Sequence, residues 1–92
     1  CAHCHELEGG NWTYDIDLTV LNPFANAANI SITPIAAGTF GPISPNPVPP
    51  GMQNVSTTFT DIAPVDQIIC FKVILTDPVT NKTCHLVTQM ST

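Results

Sequence analysis

The first five residues contain four side chains that could react or bind a metal: Cys1, His3, Cys4 and His5. Their order matches C-x-x-C-H, the motif by which c-type haem is attached through two thiols and ligated by the adjacent histidine. The motif predicts, as an alternative function, a mono-haem electron-transfer module that uses Cys1, Cys4 and His5. The polar stretch Glu6–Gly10 argues against it, because a haem needs an apolar pocket.

Four cysteines, an even number, instead favour a disulfide framework formed in an oxidising compartment. A zinc site built from the three histidines His3, His5 and His85 and the cysteines is a further alternative. The spacing matches no pair of C-x-x-C motifs, and an oxidising compartment disfavours thiolate ligands. We therefore predict disulfides, with no metal and no cofactor.

The geometry of the predicted C-terminal hairpin restricts how Cys1, Cys4, Cys70 and Cys84 pair. If the loop spans residues 77–82, residue 75 faces Cys84 and Cys70 faces residue 89. Cys70 and Cys84 then lie about 16 Å apart along the ladder, whereas a disulfide needs Cα atoms within about 7 Å. We therefore expect Cys1 and Cys4 each to pair with one of Cys70 and Cys84, and which pairs with which stays open.

Composition excludes several classes of function. Formal net charge is −5, charged residues make up 10% of the chain, and Lys72 and Lys82 are its only two Lys or Arg residues. Nucleic-acid binding needs clustered basic residues, so we expect no nucleic-acid partner. No apolar run approaches the about 20 residues of a membrane span. The sequence also has no G-x-S-x-G motif and no glycine-rich phosphate loop, so we expect a protein that is not an enzyme.

Four Asn-x-Ser/Thr sequons begin at Asn11, Asn29, Asn54 and Asn81. Each is an acceptor motif for N-glycosylation, which implies a secreted or cell-surface chain. Together with the cysteines, the sequons predict an extracellular glycoprotein.

Alternation with a period of two dominates the sequence and predicts half-buried strands. The clearest run places Trp12, Tyr14, Ile16, Leu18 and Val20 on one face. The strands are predicted at 12–20, 29–33, 39–43, 53–60, 67–76 and 83–90. No helical period is present, so we expect a single all-β domain over residues 1–92, a disulfide-braced antiparallel sandwich of five to seven strands. Residues 1–11 form an N-terminal segment pinned by the disulfides.

Three segments resemble the immunoglobulin-like and fibronectin-type-III-like modules of secreted, often bacterial, surface proteins. They are the alternating strand from Trp12, Pro50-Gly51 before Val55–Phe59, and Ile69–Asp77 followed by a closing strand. The Cys-Trp-Cys core of true immunoglobulin domains is missing. The resemblance implies an immunoglobulin-like sandwich that serves as a spacer, adhesion or filament unit and carries no catalytic residue.

One strand of this pattern also suggests a partner. If Ile69 and Phe71 point inward, Ile68 and Ile74 lie on the outer face of the same strand beside Cys70. Apolar side chains in that position need cover, from the N-terminal segment or from a neighbouring subunit. We therefore expect self-association, or contact with neighbouring modules of the same assembly.

Overall fold

The computed structural model describes residues 3–35 and 37–91. Over these residues the chain is all-β with no helix, which confirms the predicted class, but it has eight strands rather than five to seven. The strands are β1 (His3–Leu7), β2 (Thr13–Asn22), β3 (Asn29–Pro34), β4 (Thr39–Phe40), β5 (Gly51–Thr60), β6 (Gln67–Thr76), β7 (Thr83–Cys84) and β8 (Val87–Ser91).

The strands form two antiparallel sheets of four strands each. In the first sheet β6 is central, with β3 along one edge and both β1 and β7 along the other. The second sheet has the order β4-β5-β2-β8. The ten-residue ladder between β2 and β5, from Thr13↔Thr60 to Asn22↔Gly51, is the longest in the fold. A ten-residue strand is about 33 Å long, so β2, β5 and β6 run along the long axis of a body of 41 × 19 × 19 Å.

The core lies between the two sheets and follows the period of the sequence. The second sheet contributes alternate residues of β2 and β5, and the first contributes alternate residues of β6 with Leu7 and Ile30. The fully buried side chains include Ile16, Leu18, Val20, Val55, Phe59, Phe71, Val73 and Leu75. Because all eight are apolar and come from both sheets, their removal from water is the main force that holds the sandwich closed.

Trp12 departs from the prediction. The sequence places it inward with Tyr14, but its side chain is 58% exposed. β2 begins at Thr13, and Trp12 lies in the turn before it, where its carbonyl accepts a hydrogen bond from the Asp61 amide. The alternation of apolar and polar residues therefore predicts burial within β2 but not at Trp12, the residue before the strand.

The last predicted strand is also divided in two. Thr76 faces Thr83 and Leu75 faces Cys84, as the hairpin predicts. The chain then leaves the first sheet, and β8 pairs with β2 in the second. The prediction that Cys70 faces residue 89 is therefore wrong, and β1 takes that place beside β6.

Candidate functional site

One disulfide joins Cys4 of β1 to Cys70 of β6, with an S–S distance of 2.13 Å. The two residues face each other in the β1–β6 ladder, and their Cα atoms are 4.1 Å apart. The bond joins positions separated by 66 residues in sequence, so it ties an edge strand near the start of the chain to the central strand of the first sheet. This is one of the pairings that the sequence left open, and a disulfide is typical of an oxidising compartment.

The same bond removes the basis of the haem alternative. The Cys4 sulfur is bonded to the Cys70 sulfur, so it has no thiol to add to a haem vinyl group. Cys4 is exposed on β1 and His5 is half-buried there, paired across the ladder with Ile69. Cys1, the other thiol of the motif, lies outside the described residues. The described residues of the motif therefore form a disulfide-bonded edge strand and do not fit a haem.

Cys84 on β7 is half-buried, and its sulfur has no disulfide to any of the described residues. Burial raises the pKa of this thiol above its ordinary value, which disfavours the reactive thiolate. Its predicted partner is Cys1. Cys1 is two residues from His3, a distance that an extended chain covers in at most about 7 Å, and the His3 ring lies 4.7 Å from that of His85. A bond between Cys1 and Cys84 is therefore within reach and stays a prediction.

We expect Cys84 of the native protein to resist alkylation unless a reductant is added. Unfolding in denaturant without reductant, in the presence of iodoacetamide, should leave it unlabelled because the bond survives unfolding. Mass analysis of the Cys84 peptide checks this. Full labelling of Cys84 in the unreduced, unfolded chain contradicts the pairing with Cys1.

His3 and His85 form a close pair where β1 approaches the end of β7. Their ring centroids are 4.7 Å apart with planes tilted by 34°, and the Nε2 atoms of both are buried without a hydrogen-bond partner. Burial, and secondarily the neighbouring His3, lowers the pKa of His85. His85 is therefore neutral at pH 7. The sequence marked both residues as possible metal ligands but gave no sign that they meet.

No group of three or more His, Cys, Asp or Glu side chains within residues 3–35 and 37–91 is placed to hold a metal ion. The third histidine, His5, is the middle residue of β1, two positions from His3, and pairs with Ile69. The histidines considered for zinc are thus divided between a close pair and a separate position along the edge strand.

All four sequon asparagines, Asn11, Asn29, Asn54 and Asn81, have exposed side chains. The hydroxyl residue two positions later is also exposed in each case, at Thr13, Ser31, Ser56 and Thr83. Asn29 and Asn54 lie on strands, where residues two apart share a face. Asn81 lies in the β6–β7 loop with a φ of 59°. Both key positions of every acceptor motif are therefore exposed, and glycosylation stays a prediction.

The outer face of the second sheet has a shallow depression of about 450 Å³ around Asn54. Its polar lining residues bond to one another: the Ser56 hydroxyl donates to Asp17 and the Thr19 hydroxyl donates to Asn54. The depression has one carboxylate, no histidine and no cysteine among its lining residues. It therefore offers neither an acid–base pair nor a nucleophile activated by a neighbouring base.

A smaller, apolar groove of about 100 Å³ lies where β5 ends and β6 begins. Its lining includes Pro34, Phe59, Ile62 and Ile68. On the outer face of β6, Ile68 is 67% exposed and Ile74 is 36% exposed. This matches the predicted outer-face position of both isoleucines, and the described part of the N-terminal segment leaves Ile68 uncovered.

Two carboxylates, Asp61 and Asp77, are buried at turns of the chain. Asp61 accepts a hydrogen bond from the Ala63 amide and bonds to the Gln67 amide group, so it fixes the turn between β5 and β6. Asp77 accepts bonds from the Val79 amide and the Thr80 hydroxyl at the start of the β6–β7 loop. Each precedes a proline by one to three residues. That context is the signal for a carboxylate that organises a turn rather than one that does chemistry.

The bond from the Val79 amide is the main reason that the pKa of Asp77 is lowered, and it outweighs the opposing effect of burial. A carboxyl whose pKa is lowered on folding adds stability above its unfolded pKa and loses it as the pH falls through the folded pKa. We therefore expect the wild type to be more stable than Asp77→Asn at pH 7. This difference should shrink towards zero below pH 3.8, the ordinary value.

Urea midpoints of the two proteins at pH 7 and at acid pH measure this directly. The asparagine keeps an acceptor oxygen in place, so the comparison isolates the charge. A difference that stays constant across this pH range contradicts the assignment.

None of the described residues forms a helix long and apolar enough to cross a membrane. Comparison with protein-family models, with curated proteins and with solved structures found no match. The described residues form an antiparallel β-sandwich in which a disulfide joins an edge strand to the central strand of the first sheet.

Proposed function

We propose that this chain is a non-enzymatic building block of an extracellular or cell-surface assembly, as a filament subunit or as an adhesive repeat module. The observation that supports this most strongly is the number of large apolar side chains left in water. Within residues 3–35 and 37–91, nine are exposed: Trp12, Ile35, Met52, Ile62, Val65, Ile68, Ile74, Val79 and Leu86. Single exposed apolar residues are ordinary, but contiguous patches mark interaction surfaces.

The distribution of these side chains favours a partner that is a protein. Ile62 and Ile68 line one apolar groove together, and Ile35 follows Pro34 of the same groove. The groove is shallow and lacks a charged residue, so it offers little to orient a small polar substrate. The buried centre of an interface between two proteins is instead typically an apolar surface of this kind.

Low charge and the exposed sequons support the extracellular part of the proposal. Charged residues are 10% of the chain, whereas an average soluble protein has about 25%. A surface with so few charges is only weakly hydrated and needs to be covered. Glycans on the exposed asparagines provide such cover, and so does contact with neighbouring subunits. The immunoglobulin-like resemblance supports the same class of spacer or adhesion module.

The test is the mass of the native material in solution, measured by size-exclusion chromatography with light scattering. We expect multiples of the 9.8 kDa chain, after enzymatic removal of any sugars. The mass loss on that treatment reports the glycans separately. A single 9.8 kDa species at every concentration contradicts the assembly.

A further inference from the structure

We propose that copies of this chain associate head to tail through the two ends of the sandwich. This inference rests on the proposed function and names its partner as a second copy. It uses the ends, where the strands stop, and not the broad faces of the sheets.

One end, which we call the Trp12 end, is defined by the exposed side chains Trp12, Ile35, Ile62, Val65 and Ile68. The registers Thr13↔Thr60 and Leu7↔Gln67 place the ends of β1, β2, β5 and β6 together here. The segments touch one another: the Asp61 amide bonds to the Trp12 carbonyl, and Gly10 lies against Pro64 and Val65. Five of the nine exposed large apolar residues are thus gathered on one small surface.

The opposite end, which we call the Met52 end, carries the exposed side chains Met52, Val79 and Leu86. Met52 pairs with Leu21 near the end of the β2–β5 ladder, and the Leu21 amide bonds to the Leu86 carbonyl. Val79 lies in the β6–β7 loop, beyond the last residue of β6. Both ends of the long axis therefore present apolar surface.

The ends carry opposite charge. Glu8 and Asp66 are exposed beside the Trp12 end, where Asp66 accepts a hydrogen bond from the Gly9 amide. Lys82 is the exposed charge at the Met52 end, because Asp77 of the same loop is buried and bonded within it. An acidic apolar surface and a basic apolar surface attract each other and repel their own kind. This complementarity favours contact between unlike ends.

Contact between unlike ends is heterologous, so it does not close on itself in a pair and it extends into a linear array. The end of the body is only 19 Å across, so this contact is small beside the roughly 800 Å² that each partner buries in a stable complex. The isolated contact is consequently weak, and it gains strength when many copies are joined. The spacing of the array is set by the 41 Å long axis.

Small-angle X-ray scattering over a concentration series tests the proposal, with chain made in a host that does not add N-linked sugars. That choice matters because Asn11 and Asn81 lie close to the two ends. We expect the largest dimension to grow in steps set by the 41 Å axis as concentration rises. Lys82→Glu should weaken association roughly threefold to tenfold, and Ile62→Ser roughly tenfold or more.

Matched variants separate the ends from the faces. Lys72→Glu makes the same charge change in the middle of β6, on its outer face and away from the ends, and should not alter association. Glu8→Lys combined with Lys82→Glu should restore the association that Lys82→Glu weakens. Association that responds only to Lys72→Glu overturns the head-to-tail arrangement and leaves the proposed function standing. No association at any concentration, with native material also monomeric, overturns both.

Discussion

Replacing Cys4 with serine is expected to lower the free energy of unfolding by about 3–4 kcal/mol, the chain-entropy range for loops of this kind. The bond joins positions 66 residues apart, and the lower value applies because the predicted Cys1–Cys84 bond still links the two ends of the unfolded chain. The substitution also releases β1, whose one fully buried side chain is Leu7. Because a small domain has a net stability of only about 5–15 kcal/mol, we expect a large drop in the urea midpoint.

The control for this experiment is a cycle of two substitutions. Cys4→Ser, Cys70→Ser and the double variant should lose about the same stability, because each removes the same bond. Losses that add in the double variant, or a loss below about 1 kcal/mol, would show that the bond does not stabilise the fold as a cross-link between β1 and β6.

Phe59→Ala is expected to lower the free energy of unfolding by about 3–5 kcal/mol. The Phe59 side chain is 1% exposed, and its ring centroid lies 5.0 Å from that of Phe40. Gly38 approaches the ring so closely that a Cβ there would lie 2.2 Å from it. The space around the ring is therefore fully used, and truncation leaves a cavity whose walls are held by β4 and β5.

Denaturant unfolding of Phe59→Ala beside two comparison variants measures this effect. Phe59→Leu keeps most of the apolar volume and should cost clearly less. Val79→Ala removes an exposed side chain and should stay within about 0.5 kcal/mol of the wild type. Equal losses for Phe59→Ala and Val79→Ala would contradict the position of Phe59 in the core.

The sequence was sufficient for the class of fold and for most of the core. Alternation in β2, β5 and β6 predicted the inward faces of these strands, because residues two apart share a face and one face of each strand is buried. It also predicted that Ile68 and Ile74 lie outward on β6. These results depend only on the alternation of apolar and polar residues along each strand, which can be read from one sequence without an alignment.

Pairing between distant segments was not accessible in the same way. The run His3–Leu7 contains only one large aliphatic residue, so its residue pattern did not predict a strand. Its partner β6 lies more than 60 residues away in the sequence, so local pattern could not reveal the pairing either. The break between β7 and β8 was missed because Thr83–Ser91 reads as one alternating strand. The chain changes sheet near His85 because the edge of β2 is available to pair with β8. The residue pattern of Thr83–Ser91 does not show that this edge is available.

The sequence predicted which residues belong to the candidate site but not which of them lie together in the fold. The sequons and the cysteines are visible as motifs, whereas the pairing of Cys4 with Cys70 depends on the register of β1. The close pair of His3 and His85 depends on two strands meeting along one edge of β6. The collection of apolar side chains at the two ends likewise joins residues from segments far apart in the chain.

The central claim is that the native protein is a β-sandwich in which a structural disulfide between Cys4 and Cys70 fixes the edge strand β1 to β6 of the same sheet. Mass mapping of unreduced peptides from native material tests this most directly. The account predicts a cystine-linked pair of peptides that contains Cys4 and Cys70. A Cys4 that is reduced in the native material, or bonded to anything other than Cys70, would contradict it.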